Sequence, residues 1–113
     1  MKYLAAVLLA VTLTGCSLLP RAHDPVMFGQ LVVLSLQVEQ IDCDQPNWQL
    51  AVQQSQALSR YTDWRHDPQA DNLAGLQRHV ERMNQGGSKT FCELGKKTAA
   101  GRIQAAKTAW EGR

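Results

Sequence analysis

The amino-acid sequence predicts an all-α protein, a small four-helix bundle with up-down topology. The dipeptide Asp-Pro occurs twice, at residues 24–25 and 67–68. It places a capping carboxylate before a proline at the first helical position, where the missing N–H is not needed. Gly86-Gly87 is typical of a helix end, because glycine adopts a left-handed backbone without strain. Between these signals, apolar residues recur at three- and four-residue spacing, the period of a helix.

The first predicted helix covers residues 25–41, with Asp24 as its N-cap. This segment is apolar on nearly every side, which is typical of a helix buried in the centre of a fold. Two alternatives stay open. Residues 31–38 could form a strand, because they contain the β-branched Val32, Val33 and Val38. The segment could also lie on a membrane surface, although the basic residues that usually flank such a segment are missing.

Three further helices are predicted over residues 47–65, residues 68–85 and a segment that ends near Trp110. The last begins with a capping box, in which Thr90 accepts from the backbone and Glu93 reaches back to it. Each helix carries an apolar stripe at helical spacing. The stripes are Leu50, Ala51, Ala57, Leu58, Tyr61 and Trp64 in the second helix, Leu73, Leu76, Val80 and Met83 in the third, and Ala99, Ile103, Ala106 and Trp110 in the fourth.

Residues 1–15 have the pattern of an export signal. A basic start precedes an apolar run of about ten residues, far shorter than the roughly 20 of a membrane-spanning helix but suited to a signal peptide. The run closes with Leu13-Thr14-Gly15-Cys16. This stretch resembles the lipobox of bacterial lipoprotein precursors, and the resemblance implies cleavage after Gly15 and lipidation of Cys16. The alternative is an ordinary signal peptide followed by a buried cysteine.

The resemblance also implies where the mature protein lies. Residues 16–23 would be a tether to membrane lipid, and residues 24–113 a single helical periplasmic domain. Ser17 stands where an aspartate would hold such a lipoprotein in the inner membrane, so the implied location is the periplasmic face of the outer membrane. Without residues 1–15, eleven basic residues face ten acidic ones. This near-neutral balance argues against a nucleic-acid partner.

Two cysteines remain if Cys16 carries lipid. Cys43 and Cys92 are an even pair in an oxidising compartment, so we expect one disulfide; two buried thiols are the alternative. In an up-down bundle, the turn after helix one and the turn before helix four lie at the same end, which places the two thiols together. The same topology puts Asp24, the turn at residues 62–67 and the C-terminal residues at the opposite end, beside the tether.

The sequence contains no motif of a catalytic, metal or cofactor site. Its histidines, at positions 23, 66 and 79, fall in a tether, a turn and a helix face, without the spacing of metal ligands. We therefore expect neither an enzyme nor a metal site nor a cofactor. The candidate partner-binding residues are Tyr61, Trp64 and Arg65, because these residue types dominate protein interfaces. The alternative places the two aromatic side chains at the core.

These observations predict a non-catalytic lipoprotein that binds an envelope protein partner. In layout the chain is similar to small phage-encoded envelope lipoproteins, some of which block a receptor against superinfection while others are outer spanin subunits in lysis. The spanin interpretation is weakened because the mature part has few prolines. The layout is also similar to that of pilotins, small helical lipoproteins that escort secretins. A small-ligand carrier is a further alternative and would require a pocket lined by the first helix.

Overall fold

A computed structural model of the chain describes residues 22–113, and these contain no β-strand. The predicted all-α fold is confirmed, and the alternative of a strand at residues 31–38 is wrong because this segment lies inside the first helix. The four helices are α1 (Pro25–Glu39), α2 (Gln49–Trp64), α3 (Ala70–Met83) and α4 (Lys89–Glu111).

The helices form a closed ring in chain order. α1 packs against α2, α2 against α3, and α3 against α4, and α4 returns to α1, whereas the diagonal pairs of described helices make no close backbone contact. This is the up-down arrangement that short turns enforce. The predicted apolar stripes of α3 and α4 are all buried, and with α1 and Trp48 they supply most of the core.

The disulfide between Cys43 and Cys92 lies at one end of the bundle, with the two Cα atoms 5.7 Å apart. Beside it, the Lys89 ammonium lies 2.9 Å from the Asp44 carboxylate and joins the same two turns. Gly86 has a φ of 100°, the left-handed conformation expected where the chain leaves α3. The predicted topology and the predicted disulfide are therefore both confirmed.

The first two helix starts show how local chemistry fixes the boundaries. Asp24 caps α1 as predicted, because its Oδ1 accepts hydrogen bonds from the backbone N–H groups of Val26 at 3.0 Å and Met27 at 3.1 Å. α2 begins at Gln49 rather than at Asn47. The Asn47 side chain instead accepts from the Gln49 N–H at 3.0 Å, so it closes a turn just before the helix.

The predicted starts of α3 and α4 require correction. Pro68 precedes α3, because Asp67 closes a turn by accepting from the Gln69 N–H through its side chain and from the Ala70 N–H through its carbonyl. The capping box at the start of α4 is wrong: Ser88 is the N-cap, and its hydroxyl accepts from the Phe91 N–H at 3.1 Å. A serine hydroxyl two residues earlier therefore satisfies the free N–H group.

The inner face of α2 is more polar than predicted. Ala51 and Leu58 of the predicted stripe are buried, but Leu50, Ala57 and Trp64 point to solvent. Ser55, Ser59 and Thr62 are buried instead. The hydroxyls of Ser55 and Thr62 each donate at 2.9 Å to the carbonyl oxygen three residues earlier, on Val52 and Ser59 respectively. Such self-satisfied hydroxyls can face a core without an unpaired polar group.

Helix α1 is half exposed, contrary to the expectation that it is buried all round. Met27, Leu31, Leu34 and Val38 form its buried stripe. Its opposite side faces solvent because α1 lies at a corner of a four-helix ring, where only two neighbours cover it. The C-terminal end of α1 is held by Lys96, whose ammonium donates to the carbonyl oxygens of Glu39 and Ile41.

Candidate functional site

The predicted binding residues Tyr61, Trp64 and Arg65 lie at the C-terminal end of α2, but they do not form one patch. The Tyr61 hydroxyl donates to Asp24 Oδ2 at 2.8 Å, and the Arg65 Nε lies 3.6 Å from the same oxygen. These two side chains therefore fasten α2 to the start of α1. Trp64 points the other way, into the groove between α2 and α3, with 72% of its surface exposed.

Asp24 thus holds both a helix start and a contact between two helices. Its side chain is 91% covered, with 9% exposed. Burial would raise the pKa of the Asp24 carboxyl, but hydrogen bonds from Tyr61, Met27 and Val26, together with the charge of Arg65, outweigh it and hold the pKa below its usual value. The same hydrogen bond raises the pKa of the Tyr61 hydroxyl. This cluster is best explained as structural.

A second carboxylate lies at this end of the bundle. Asp67 is buried in the turn between α2 and α3, and it accepts from the Trp110 Nε1–H at 3.1 Å and from the Arg113 guanidinium through both oxygens. Asp24, Arg65, Asp67 and Arg113 also line one small depression. The predicted grouping of Asp24, the 62–67 turn and the C-terminal residues is therefore observed, although the sequence did not indicate the bond from Trp110.

The most distinctive surface is the outer side of α1, which we call the α1 face. It consists of Val26, Gly29, Val32, Val33 and Leu36, and its four larger side chains are between 44% and 56% exposed. The sequence carries the signal for this surface, since α1 is apolar all round, but that pattern alone predicts complete burial. Contiguous exposed apolar surface of this kind marks interaction sites in many proteins, whereas single exposed apolar residues do not.

The α1 face continues into a groove between α1 and α4. This groove encloses about 280 Å³ and is lined by Phe28, Leu31, Val32, Leu36 and Ile103, with Ala100 beside them. Its charged groups lie at the rim, where Glu39 and Lys107 stand, and the Lys107 ammonium is paired with Glu111 at 3.3 Å. The floor of the groove is therefore apolar and open to solvent.

The predicted signal peptide, the predicted lipidation site Cys16 and the predicted tether up to residue 21 lie outside the described residues. Across residues 22–113, no helix is both long and apolar enough to span a bilayer. In the same region no three His, Cys, Asp or Glu side chains converge as metal ligands would. The His79 ring donates a hydrogen bond from Nε2–H to the Gly95 carbonyl oxygen at 2.9 Å, because a carbonyl oxygen can only accept.

The fold and these surfaces define a disulfide-bonded four-helix up-down bundle with one apolar face. In comparisons with known proteins, the chain matches no protein-family model, no curated protein and no solved structure.

Proposed function

We propose that this protein is a lipoprotein of the outer membrane that binds an envelope protein partner through its periplasmic domain, without catalysis. The lipobox-like residues 13–16 support the anchor at Cys16. The seven residues from Ser17 to His23 extend over at most about 25 Å, so the domain would stay close to the membrane. Two or more acyl chains on one protein give stable anchoring.

The α1 face is the observation that carries the binding function. Burial of apolar surface is the main source of free energy in protein association. Four aliphatic side chains on one helix remain about half exposed, although burying them would stabilise the chain. Gly29 lies among them with no other side chain within 4 Å of where a Cβ would stand, so a partner helix could approach this point closely.

The charge of the α1 face favours a protein over the bilayer as its occupant. Helix α1 contains no lysine or arginine, and its one charged residue is Glu39 at its last position. Helices that lie on membranes usually carry basic residues on their polar side, which attract anionic lipids. An uncharged apolar face instead matches the buried centre of a protein interface, from which charged residues are depleted. We therefore propose that an apolar helix of the partner packs on the α1 face.

The direct test is cross-linking in the cell. A photo-cross-linking amino acid at position 33 of the full-length chain should capture one enriched envelope protein, which mass spectrometry then identifies. Leu36→Glu should abolish capture, because it places a charge in the apolar contact. The matched control is Leu50→Glu, on the exposed side of α2, where the leucine is 64% exposed. Equal capture by both variants, or none by the wild type, would overturn the proposal.

The captured protein also decides between the partner classes that the layout suggests. A surface receptor would indicate superinfection exclusion, an inner-membrane lysis subunit would indicate a spanin, and a secretin would indicate a pilotin. The anchor is tested separately by Cys16→Ala, which should leave an uncleaved or unanchored protein. Normal processing and membrane fractionation of this variant would contradict the lipoprotein assignment.

The groove between α1 and α4 supports a second candidate function, a carrier of one acyl chain. Its volume of about 280 Å³ and its apolar lining by Phe28, Val32 and Ile103 suit a narrow hydrocarbon. Native mass spectrometry of the membrane-extracted protein should then show a lipid that dissociates on activation. Ala100→Trp, which fills the groove, should remove it. A protein without such a lipid, or a lipid that survives Ala100→Trp, would exclude the carrier function.

A further inference from the structure

A concentrated positive charge lies on the side of the bundle that α3 and α4 form. The groove between α3 and α4 encloses about 270 Å³ and is lined by Gly75, Arg78, His79, Arg82, Thr98 and Arg102. It contains three of the seven arginines of the chain and no carboxylate. We call this the arginine groove.

None of the three guanidinium groups forms a salt bridge within residues 22–113. The ion pairs of this region involve Arg65, Lys89, Lys107 and Arg113 instead. The acidic residue closest in sequence is Glu81, whose carboxylate accepts from Gln77 and from Gln56 of α2. The charge of Arg78 helps to lower the pKa of Glu81, but Glu81 does not line the groove. The arginine groove therefore presents its positive charge to solvent.

The arrangement within the groove is one that an anion would stabilise. Arg78 and Arg82 are four residues apart on α3, a spacing at which like charges face each other and repel. Arg102 reaches across from α4: a Cβ at Gly75 would stand 2.6 Å from its guanidinium, so the absent side chain at Gly75 makes room for it. Asn72 Oδ1 accepts from this guanidinium at 3.3 Å and orients it.

From these observations we infer that the arginine groove binds carboxylate side chains of an acidic protein segment. Guanidinium groups bind carboxylates through two parallel hydrogen bonds, and three of them in one groove suit a segment with several acidic residues. The inference deepens the proposed function and rests on it for the statement that the partner is a protein. The partner would therefore contact the bundle at two separate surfaces, the α1 face and the arginine groove.

The position of the groove favours a protein segment over the headgroups of the anchoring membrane. Ala70 begins α3 at the end of the bundle next to the tether. Arg78 and Arg82 follow it by eight and twelve residues, which correspond to about 12 and 18 Å along the helix. The groove is also concave between two helices, whereas a headgroup surface is flat.

The test uses the full-length lipidated protein in a neutral detergent and a fluorescent octaglutamate peptide, with binding measured by anisotropy. The variant Arg78→Gln/Arg82→Gln removes two exposed arginines of the groove. Its control, Arg60→Gln/Lys97→Gln, removes the same charge from exposed positions outside the groove. We expect the groove variant to weaken binding by about fivefold or more and the control to change it less than twofold.

Three results would overturn the inference. They are absence of peptide binding by the wild type, equal weakening in both double variants, and displacement of the bound peptide by soluble short-chain phosphatidylglycerol at lower concentrations than by unlabelled octaglutamate. The last would show that anionic headgroups occupy the groove. Circular dichroism should give the same helix content for all variants. Cross-linking from position 33 is independent of these arginines, so failure of the peptide titration and failure of the proposed function are separate results.

Discussion

The indole N–H of Trp110 donates a hydrogen bond of 3.1 Å to the Asp67 carboxylate, and both side chains are buried. The bond joins the last turns of α4 to the connection between α2 and α3. Arg113 supplies two further hydrogen bonds to the same carboxylate, so its charge is compensated inside the fold. The described residues at this end of the bundle form no disulfide. Asp67 instead joins the end of α4 to the connection between α2 and α3, as the disulfide joins two turns at the other end.

Asp67→Ala should therefore lower the free energy of unfolding by about 3 kcal/mol, because it removes several hydrogen bonds and leaves Arg113 and the Trp110 N–H without a partner. Urea denaturation followed by circular dichroism measures the change. Asp63→Ala is the control, since Asp63 is exposed four residues earlier in the same region. It should change stability by less than about 0.5 kcal/mol. Equal effects of the two substitutions would contradict this role of Asp67.

Stability should also fall in acid. Burial would raise the pKa of Asp67, but hydrogen bonds from Arg113, Gln69 and Trp110 outweigh it and hold the pKa below the usual value of 3.8. In the unfolded chain Asp67 is therefore protonated at a higher pH than in the folded chain. The stability that ionised Asp67 contributes is complete well above pH 3.8 and is lost as the pH falls through the pKa of the folded state. Urea midpoints between neutral pH and about pH 2.5 measure the loss. Asp67→Asn should have a flatter pH profile, and parallel profiles would contradict the assignment.

The outline of this fold could be predicted from the sequence because separate local signals agree. The Asp-Pro dipeptides, Gly86-Gly87 and the apolar stripes of α3 and α4 all lead to the same helices, and the topology brings Cys43 and Cys92 together. The orientation of α1 could not be predicted in this way. A helix that is apolar all round has no periodic signal to show which side its neighbours cover.

The side chains that face the core from α2 could not be predicted from hydropathy either. Hydrophobic spacing put Leu50 and Trp64 inside α2, whereas Ser55 and Thr62 take the inner face by donating to their own backbone, which no hydropathy pattern reveals. Tyr61 and Arg65 have the residue types of an interface, but Asp24 binds both of them. That contact joins residues 37 positions apart, so only the folded chain shows it.

The disulfide should contribute about 4 kcal/mol, because Cys43 and Cys92 are separated by 49 residues and cross-linking them restricts the unfolded chain. The double variant Cys43→Ala/Cys92→Ala should lose this amount in urea denaturation. Reduction of the wild type should have a similar effect, and the same reductant should leave the double variant unchanged. Alkylation of two free thiols in the unreduced, denatured mature protein would contradict the bond.

Gly29→Ala should stabilise the protein by roughly 0.5 to 1 kcal/mol, since alanine has the higher helix propensity and the added methyl group would meet no atom within 4 Å. Gly101→Ala in α4 is equally open and should give a similar gain, measured as a rise in the urea midpoint. If Gly29→Ala lowered stability and Gly101→Ala did not, the folded chain itself would require a glycine at position 29, contrary to this prediction.

Of the two aromatic residues near the C-terminal end of α2, Tyr61 should contribute to stability, whereas Trp64 should contribute to neither stability nor partner binding. Tyr61→Phe removes the donor from the covered Asp24 carboxylate and should lower the thermal midpoint, whereas Trp64→Ala, at an exposed position, should change stability by less than about 0.5 kcal/mol. Because we propose that the partner binds the α1 face, Trp64→Ala should also leave cross-linking from position 33 intact. A stable Trp64→Ala protein that no longer captures its partner would instead move the binding site to the groove between α2 and α3.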